Sequence, residues 1–96
     1  MRSKTTKQFR DLLARQSPHV QAQARGAYRQ FQRDPFSEGL NFEAVNPAQT
    51  IWSARVSSQF RVLGTRRHEE WDKIIWFWIG SHNAYDNLVA RYRSRK

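Results

Sequence analysis

Hydrophobic positions along the chain follow helical spacing first and strand spacing later, and the densest of them form one short run. Ile74, Ile75, Trp76, Phe77, Trp78 and Ile79 are all aliphatic or aromatic. That is too few for a membrane span and right for a strand covered on both faces. The run is predicted to be the central strand. It stops at Gly80, a residue that permits a turn. Ser81, His82, Asn83, Tyr85 and Asp86 follow, a polar, titratable cluster at the end of the most buried strand, where functional groups concentrate.

Upstream, residues 2–6 are polar and β-tolerant, so they read as an edge strand or an arm. From Lys7, the apolar positions Phe9, Leu12 and Leu13 follow helical spacing, with Thr5 or Thr6 as the cap, and this helix is expected to end near Gln16. Ser17-Pro18 restarts a helix, because serine caps and proline has no N–H to leave unpaired at the first helical position. Val20, Ala24, Ala27 and Phe31 then form one stripe with Tyr28 beside it, and Asp34-Pro35 closes the segment. The two helices form a hairpin whose stripe lies on a sheet.

Leu40, Asn41, Phe42, Glu43 and Ala44 alternate like a half-buried strand that Asn46-Pro47 ends. Residues 50–56 and 60–64 read as an antiparallel pair joined by Ser57-Ser58-Gln59, and 65–70 as a charged turn into the central strand. Residues 84–93 suit a last helical turn or two. The predicted fold is α+β: a two-helix hairpin packed on one face of a small curved, mainly antiparallel sheet of about three to four strands.

Two helices cover only one face of such a sheet, yet the central run is apolar on both. Strict alternation puts Ile75, Phe77 and Ile79 on one face and Ile74, Trp76 and Trp78 on the other. One set belongs to the core. The other, on the Trp76 and Trp78 side with Trp52, either forms an apolar patch rimmed by arginine and open to a partner, or is covered by a loop or the C-terminal segment.

The length of 96 residues, with four Trp and six Phe, supports one domain over 1–96 with a basic tail from about residue 91. Seventeen Lys and Arg against eight Asp and Glu leave a net charge of +9, a field suited to a polyanion or an acidic partner. Cysteine is absent, which excludes disulfides and thiolate metal sites and fits the cytoplasm. No stretch is long and apolar enough to cross a bilayer, so a soluble protein without a membrane partner is expected. The three histidines, His19, His68 and His82, share no metal-ligand spacing, and no phosphate loop, dinucleotide fingerprint or nucleophile elbow occurs. Neither a metal nor a cofactor is expected.

The order helix, helix, three-stranded meander, with Phe60-Arg61-Val62-Leu63-Gly64 on the second meander strand and Trp76-Phe77-Trp78-Ile79-Gly80-Ser81-His82-Asn83-Ala84-Tyr85-Asp86 after it, resembles the RelE/ParE superfamily of toxins from bacterial type II toxin–antitoxin systems. Gly80-Ser81-His82 is similar to the C-terminal motif of YafQ-like members. The resemblance implies that the concave sheet face and its C-terminal end form the working site. It also implies a cognate antitoxin whose acidic or amphipathic segment wraps the toxin, with operator DNA reached through that antitoxin.

RelE-like members cut messenger RNA in the ribosomal A site, and ParE-like members inhibit DNA gyrase. Carried over by position, Arg61 would stabilise charge on the scissile phosphate and His82 would be the general acid on the leaving 5′ oxygen. Tyr85 lies near the place of an aromatic that stacks on a base or helps proton transfer. The strand that carries two lysines in RelE reads Trp52-Ser53-Ala54-Arg55-Val56 here, so Arg55 is the nearest charge. Three functions follow as alternatives: a ribosome-dependent mRNA endoribonuclease, a non-hydrolytic gyrase inhibitor, and an antitoxin-binding co-repressor.

The endoribonuclease route needs no metal: a 2′-OH attacks its own phosphate, a base takes its proton, cations stabilise the phosphorane and an acid protonates the leaving oxygen. A histidine suits that last task, although one following a strand also suits a turn where it bonds to backbone. Arg66, Arg67, Arg91 and Arg93 complete a candidate RNA track with Trp78 as a stacking surface, or else form a solvated basic rim.

Overall fold

The computed structural model describes residues 1–46, 50–67 and 72–93. Its elements in chain order are β1 (Arg2–Thr5), α1 (Lys7–Ala14), α2 (Pro18–Arg33), β2 (Glu43–Asn46), β3 (Ile51–Arg55), β4 (Phe60–Arg67), β5 (Lys73–Ser81) and α3 (His82–Arg93). The strands form one mixed sheet of order β1-β5-β4-β3-β2. Of the edge strand or arm expected at residues 2–6, the strand forms: β1 lies at the sheet edge and runs parallel to β5. The other neighbours are antiparallel. Five strands therefore replace the three to four expected, and β5 is interior, between β1 and β4.

The helical hairpin begins as its capping residues dictate. Thr6 Oγ1 accepts from Phe9 N at 3.1 Å and Ser17 Oγ accepts from Val20 N at 3.2 Å, each satisfying a donor that the helix itself leaves unpaired. Phe9 from α1 and Phe31 from α2 are buried against Phe42, Val62, Ile74, Trp76 and Ile79. Edge-to-face contacts of Phe31 with Phe42 (5.2 Å) and with Trp76 (5.4 Å) join α2 to the sheet.

Two strand bounds are corrected. The strand read at 40–44 begins at Glu43 instead. Asn41 takes a positive φ of 48°, so Leu40 and Phe42 are buried on a bend rather than along a strand. Residues 65–67, read as part of a turn, extend β4. His68, the rest of that turn, Pro47 and the tail residues 94–96 lie outside the described residues.

The alternation along β5 is also broken. Leu63 pairs with Trp78 and Gly64 with Trp76, which leaves Phe77 as an extra, unpaired residue, a β-bulge. Ile74 and Trp76 face the hairpin, and so does Ile79, while Phe77 and Trp78 pack on the opposite side. Trp76 and Trp52 therefore do not share an open face with Trp78: Trp76 is buried under the hairpin, and Trp52 packs on Phe42 in a tilted contact, ring centres 4.7 Å apart.

The second face is covered by the C-terminal segment. α3 is a full helix rather than a turn or two, and its Tyr85 and Val89 are buried with Val45, Ile51 and Leu63. Asn46 Nδ2 donates to Tyr92 O at 2.6 Å and fixes the helix's far end to β2. No helix among the described residues is long and apolar enough to cross a membrane.

Candidate functional site

The passage from β5 into α3 sets the site. Gly80 is still in the strand, paired with Arg61, so it does not make the predicted turn. Its lack of a side chain serves close approach instead, because a Cβ there would run into the six-membered ring of Trp78. Ser81 follows directly and its Oγ accepts from Ala84 N at 3.2 Å, capping α3. His82 N donates to Gln59 O at 2.7 Å, which fastens the helix start to the β3–β4 turn.

His82 is thus a first-turn helical residue whose ring bonds to a side chain, not the turn histidine bonded to backbone. Its Nε2 lies 3.1 Å from Asp86 Oδ2, one turn further on, an ion pair when the imidazole is protonated. Both groups are about half exposed, so the pair is open to a ligand. Tyr85, between them in sequence, is buried with its ring 6.4 Å from the His82 ring, and its hydroxyl donates to Ser53 Oγ at 3.1 Å.

His82, Tyr85, Arg55 and Arg61 come together from separate elements to line one cleft of about 230 Å³. Arg61 Nη1 donates to Ser57 O at 2.8 Å and to Phe60 O at 3.3 Å, and Arg55 Nε donates to Ser57 O at 3.4 Å. One carbonyl of the β3–β4 turn therefore gathers both guanidinium groups. The same cleft holds Glu43 and Asp86, and Asn41 at its edge. Sequence reasoning missed Glu43, which reaches the site only because β2 pairs with β3 and sets Glu43 opposite Ser53. The His82–Asp86 pair did have a signal, the four-residue spacing of one helix face.

The remaining candidates lie elsewhere. Arg66 faces the hairpin side, where its Nε and Nη2 donate to Asp72 at 3.1 and 2.9 Å and its Cζ stands 4.4 Å from the centre of the Trp52 ring. Trp78 is packed in the α3-side core, with its ring against Gly80. Arg67 is exposed at the end of β4 and Arg91 on the last turn of α3. Arg93 ends α3, and its side chain lies outside the described atoms. Among the described residues, no cluster of His, Asp and Glu could hold a metal ion.

Cations, two carboxylates and an imidazole in one small cleft can bind a phosphodiester and move protons on either side of it. The helical hairpin on one face of a five-stranded sheet, with a C-terminal helix on the other, is similar in fold to solved bacterial toxins. The chain superposes on the YoeB/ParE toxin from Agrobacterium tumefaciens with a TM-score of 0.63 and 16% identity, over 85% of this chain and 99% of that one. The toxin–antitoxin complex RelBE2 from Mycobacterium tuberculosis gives 0.64 at 17% identity, over 84% and 96%. YafQ from E. coli strain BL21(DE3) gives 0.57 at 9%, over 88% and 98%. No protein-family model and no curated protein matches the sequence.

Proposed function

We propose that this protein is the toxin of a type II toxin–antitoxin pair and inhibits translation by cutting mRNA on the ribosome. The observation that carries the reading is the convergence of His82, Arg61, Arg55 and Glu43 on one cleft. Glu43 accepts the proton of a ribose 2′-OH, whose oxygen attacks the adjacent phosphorus. Arg61 and Arg55 offset the extra negative charge on the phosphorane. His82, held by Asp86, donates its proton to the departing 5′ oxygen. The products are a 2′,3′-cyclic phosphate and a free 5′-OH, and every group acting on them belongs to the protein.

The chain's charge of +9 supports an acidic antitoxin segment as its partner, and the fold is shared with a protein solved as a toxin–antitoxin complex. A second reading, a gyrase inhibitor without hydrolysis, is favoured by one specific feature: Arg55 is the only cation on β3.

Primer extension on an mRNA in a purified translating system separates the two. Ribosome-dependent cuts with the wild-type protein that vanish with folded His82→Ala support the nuclease. Intact mRNA together with inhibited gyrase supercoiling would replace it with the second reading.

A further inference from the structure

Between the hairpin and the sheet lies a second, larger cavity of about 550 Å³ that shares only Ala54 and Arg55 with the proposed RNA site. Its cause is visible in the sequence: the stripe of α2 carries Phe31 at its end but only Ala24 and Ala27 along its middle, so this part of the helix cannot fill the space above β4 and β5. The walls are Phe9, Leu13, Ala24, Ala27, Phe31 and Trp76, and the polar residues that line it are cations and hydroxyls. Lys4, Arg25 and Arg29 are exposed at its rim, and no carboxylate is among the lining residues. Trp76 is 5% exposed, and its indole N–H is buried without a hydrogen-bond partner.

We propose that this cavity binds a small anionic amphiphile: a single alkyl chain in the aromatic and aliphatic interior, with a carboxylate or similar head group at the rim. Size and charge both argue for this occupant. Ligand pockets of about 300–1,000 Å³ with apolar walls and few polar groups suit small molecules. The mouth is also bridged from β1 to α2 by a hydrogen bond between Ser3 Oγ and Tyr28 Oη at 2.7 Å, which a slim chain can pass beneath and a helix cannot. The cationic rim selects an anion over a neutral or positive head group. The inference stands independently of the toxin reading.

The probe is dodecanoate below its micelle concentration, titrated into the full chain while the indole N–H resonances are followed by NMR. The expected result is a saturable shift of the Trp76 signal, assigned with Trp76→Phe. Arg25→Gln/Arg29→Gln, which alters exposed residues only, weakens binding by about two- to thirty-fold, the range expected for two solvent-exposed charge contacts. Ala27→Phe, checked for folding by circular dichroism, abolishes it. The proposal is overturned by the absence of a saturable shift, by equal binding of dodecyltrimethylammonium, or by undiminished binding to folded Ala27→Phe. It is likewise overturned if an acidic amphipathic peptide occupies the cavity and dodecanoate does not. Should Ala27→Phe fail to fold, the Trp76 shift and the charge variant still decide.

Discussion

Tyr85 donates its hydroxyl to Ser53 Oγ at 3.1 Å, and both side chains are buried, at 6% and 3% exposure. This bond ties the first turn of α3 to the middle of β3, and the same helical turn carries His82. On the proposed reading Tyr85 positions the imidazole, and removing the hydroxyl leaves Ser53 Oγ buried and unpaired. Tyr85→Phe is expected to cost about 1–2 kcal/mol, a fall in Tm of about 4–8 °C per kcal/mol for a domain of this size. Adding Ser53→Ala should restore part of the loss. An unchanged Tm with lost cleavage would make the hydroxyl itself catalytic.

Glu43 is exposed and belongs to an edge strand, so Glu43→Gln keeps the shape of the site and removes only its proton-accepting charge. Stability should stay within about 0.5 kcal/mol of wild type, while mRNA cleavage falls by about 10²–10⁴. Equal cleavage at equal folded concentration would remove Glu43 from the mechanism.

Arg66 is expected to matter for stability and not for RNA. Its side chain is mostly buried, at 12% exposure, with the guanidinium between Asp72 and the Trp52 ring. Arg66→Ala should cost about 1–3 kcal/mol, and Arg66→Lys should recover little, since an ammonium cannot reproduce the two-pronged pair or the stacking. The salt dependence of RNA binding should be the same in both variants as in wild type; a shallower slope would return Arg66 to the RNA track.

Gly64 and Gly80 mark two close approaches to the same strand. A Cβ on Gly64 would stand 2.8 Å from Trp76 Cε3 and 2.9 Å from Ile74 Cδ1, and one on Gly80 would collide with Trp78. Each change to alanine should cost about 1–3 kcal/mol through overpacking. Gly80→Ala should in addition reduce cleavage beyond what its folded fraction explains, because the displaced Trp78 lies under α3. Thermal melts and cleavage at matched folded concentration check both.

Local chemistry made the helical hairpin legible: Ser17-Pro18 and Asp34-Pro35 mark their boundaries with residues whose backbone preferences are nearly independent of the rest of the chain. The hairpin of β3 and β4, joined through 57–59, is local in the same way. The misread parts are those decided at a distance. Leu40 and Phe42 alternate like strand residues, but Asn41 in the left-handed region turns both toward a core that neighbouring residues alone do not reveal. The parallel pairing of β1 with β5 joins residues about seventy positions apart. In the candidate site, His82, Arg61 and Tyr85 are legible through the resemblance of two short motifs and Arg55 as the nearest charge on the strand before them, whereas Glu43 depends on which strand lies beside β3. Arg66 was misplaced because a count of arginines carries no information about which face each one occupies.

The unpaired Phe77 gives β5 two opposite parities. Before it, even-numbered residues look toward the hairpin; beyond it, odd-numbered ones do. Loss of the Phe77 codon would leave a regular ladder with the same facing, whereas loss of a paired codon beyond it would reverse that phase for everything downstream and turn the start of α3 away from Arg55 and Arg61, with each of those residues still encoded. A single-triplet deletion at a position outside the cleft can therefore silence such a gene without altering any residue of the cleft, and a compensating triplet nearby can revive it.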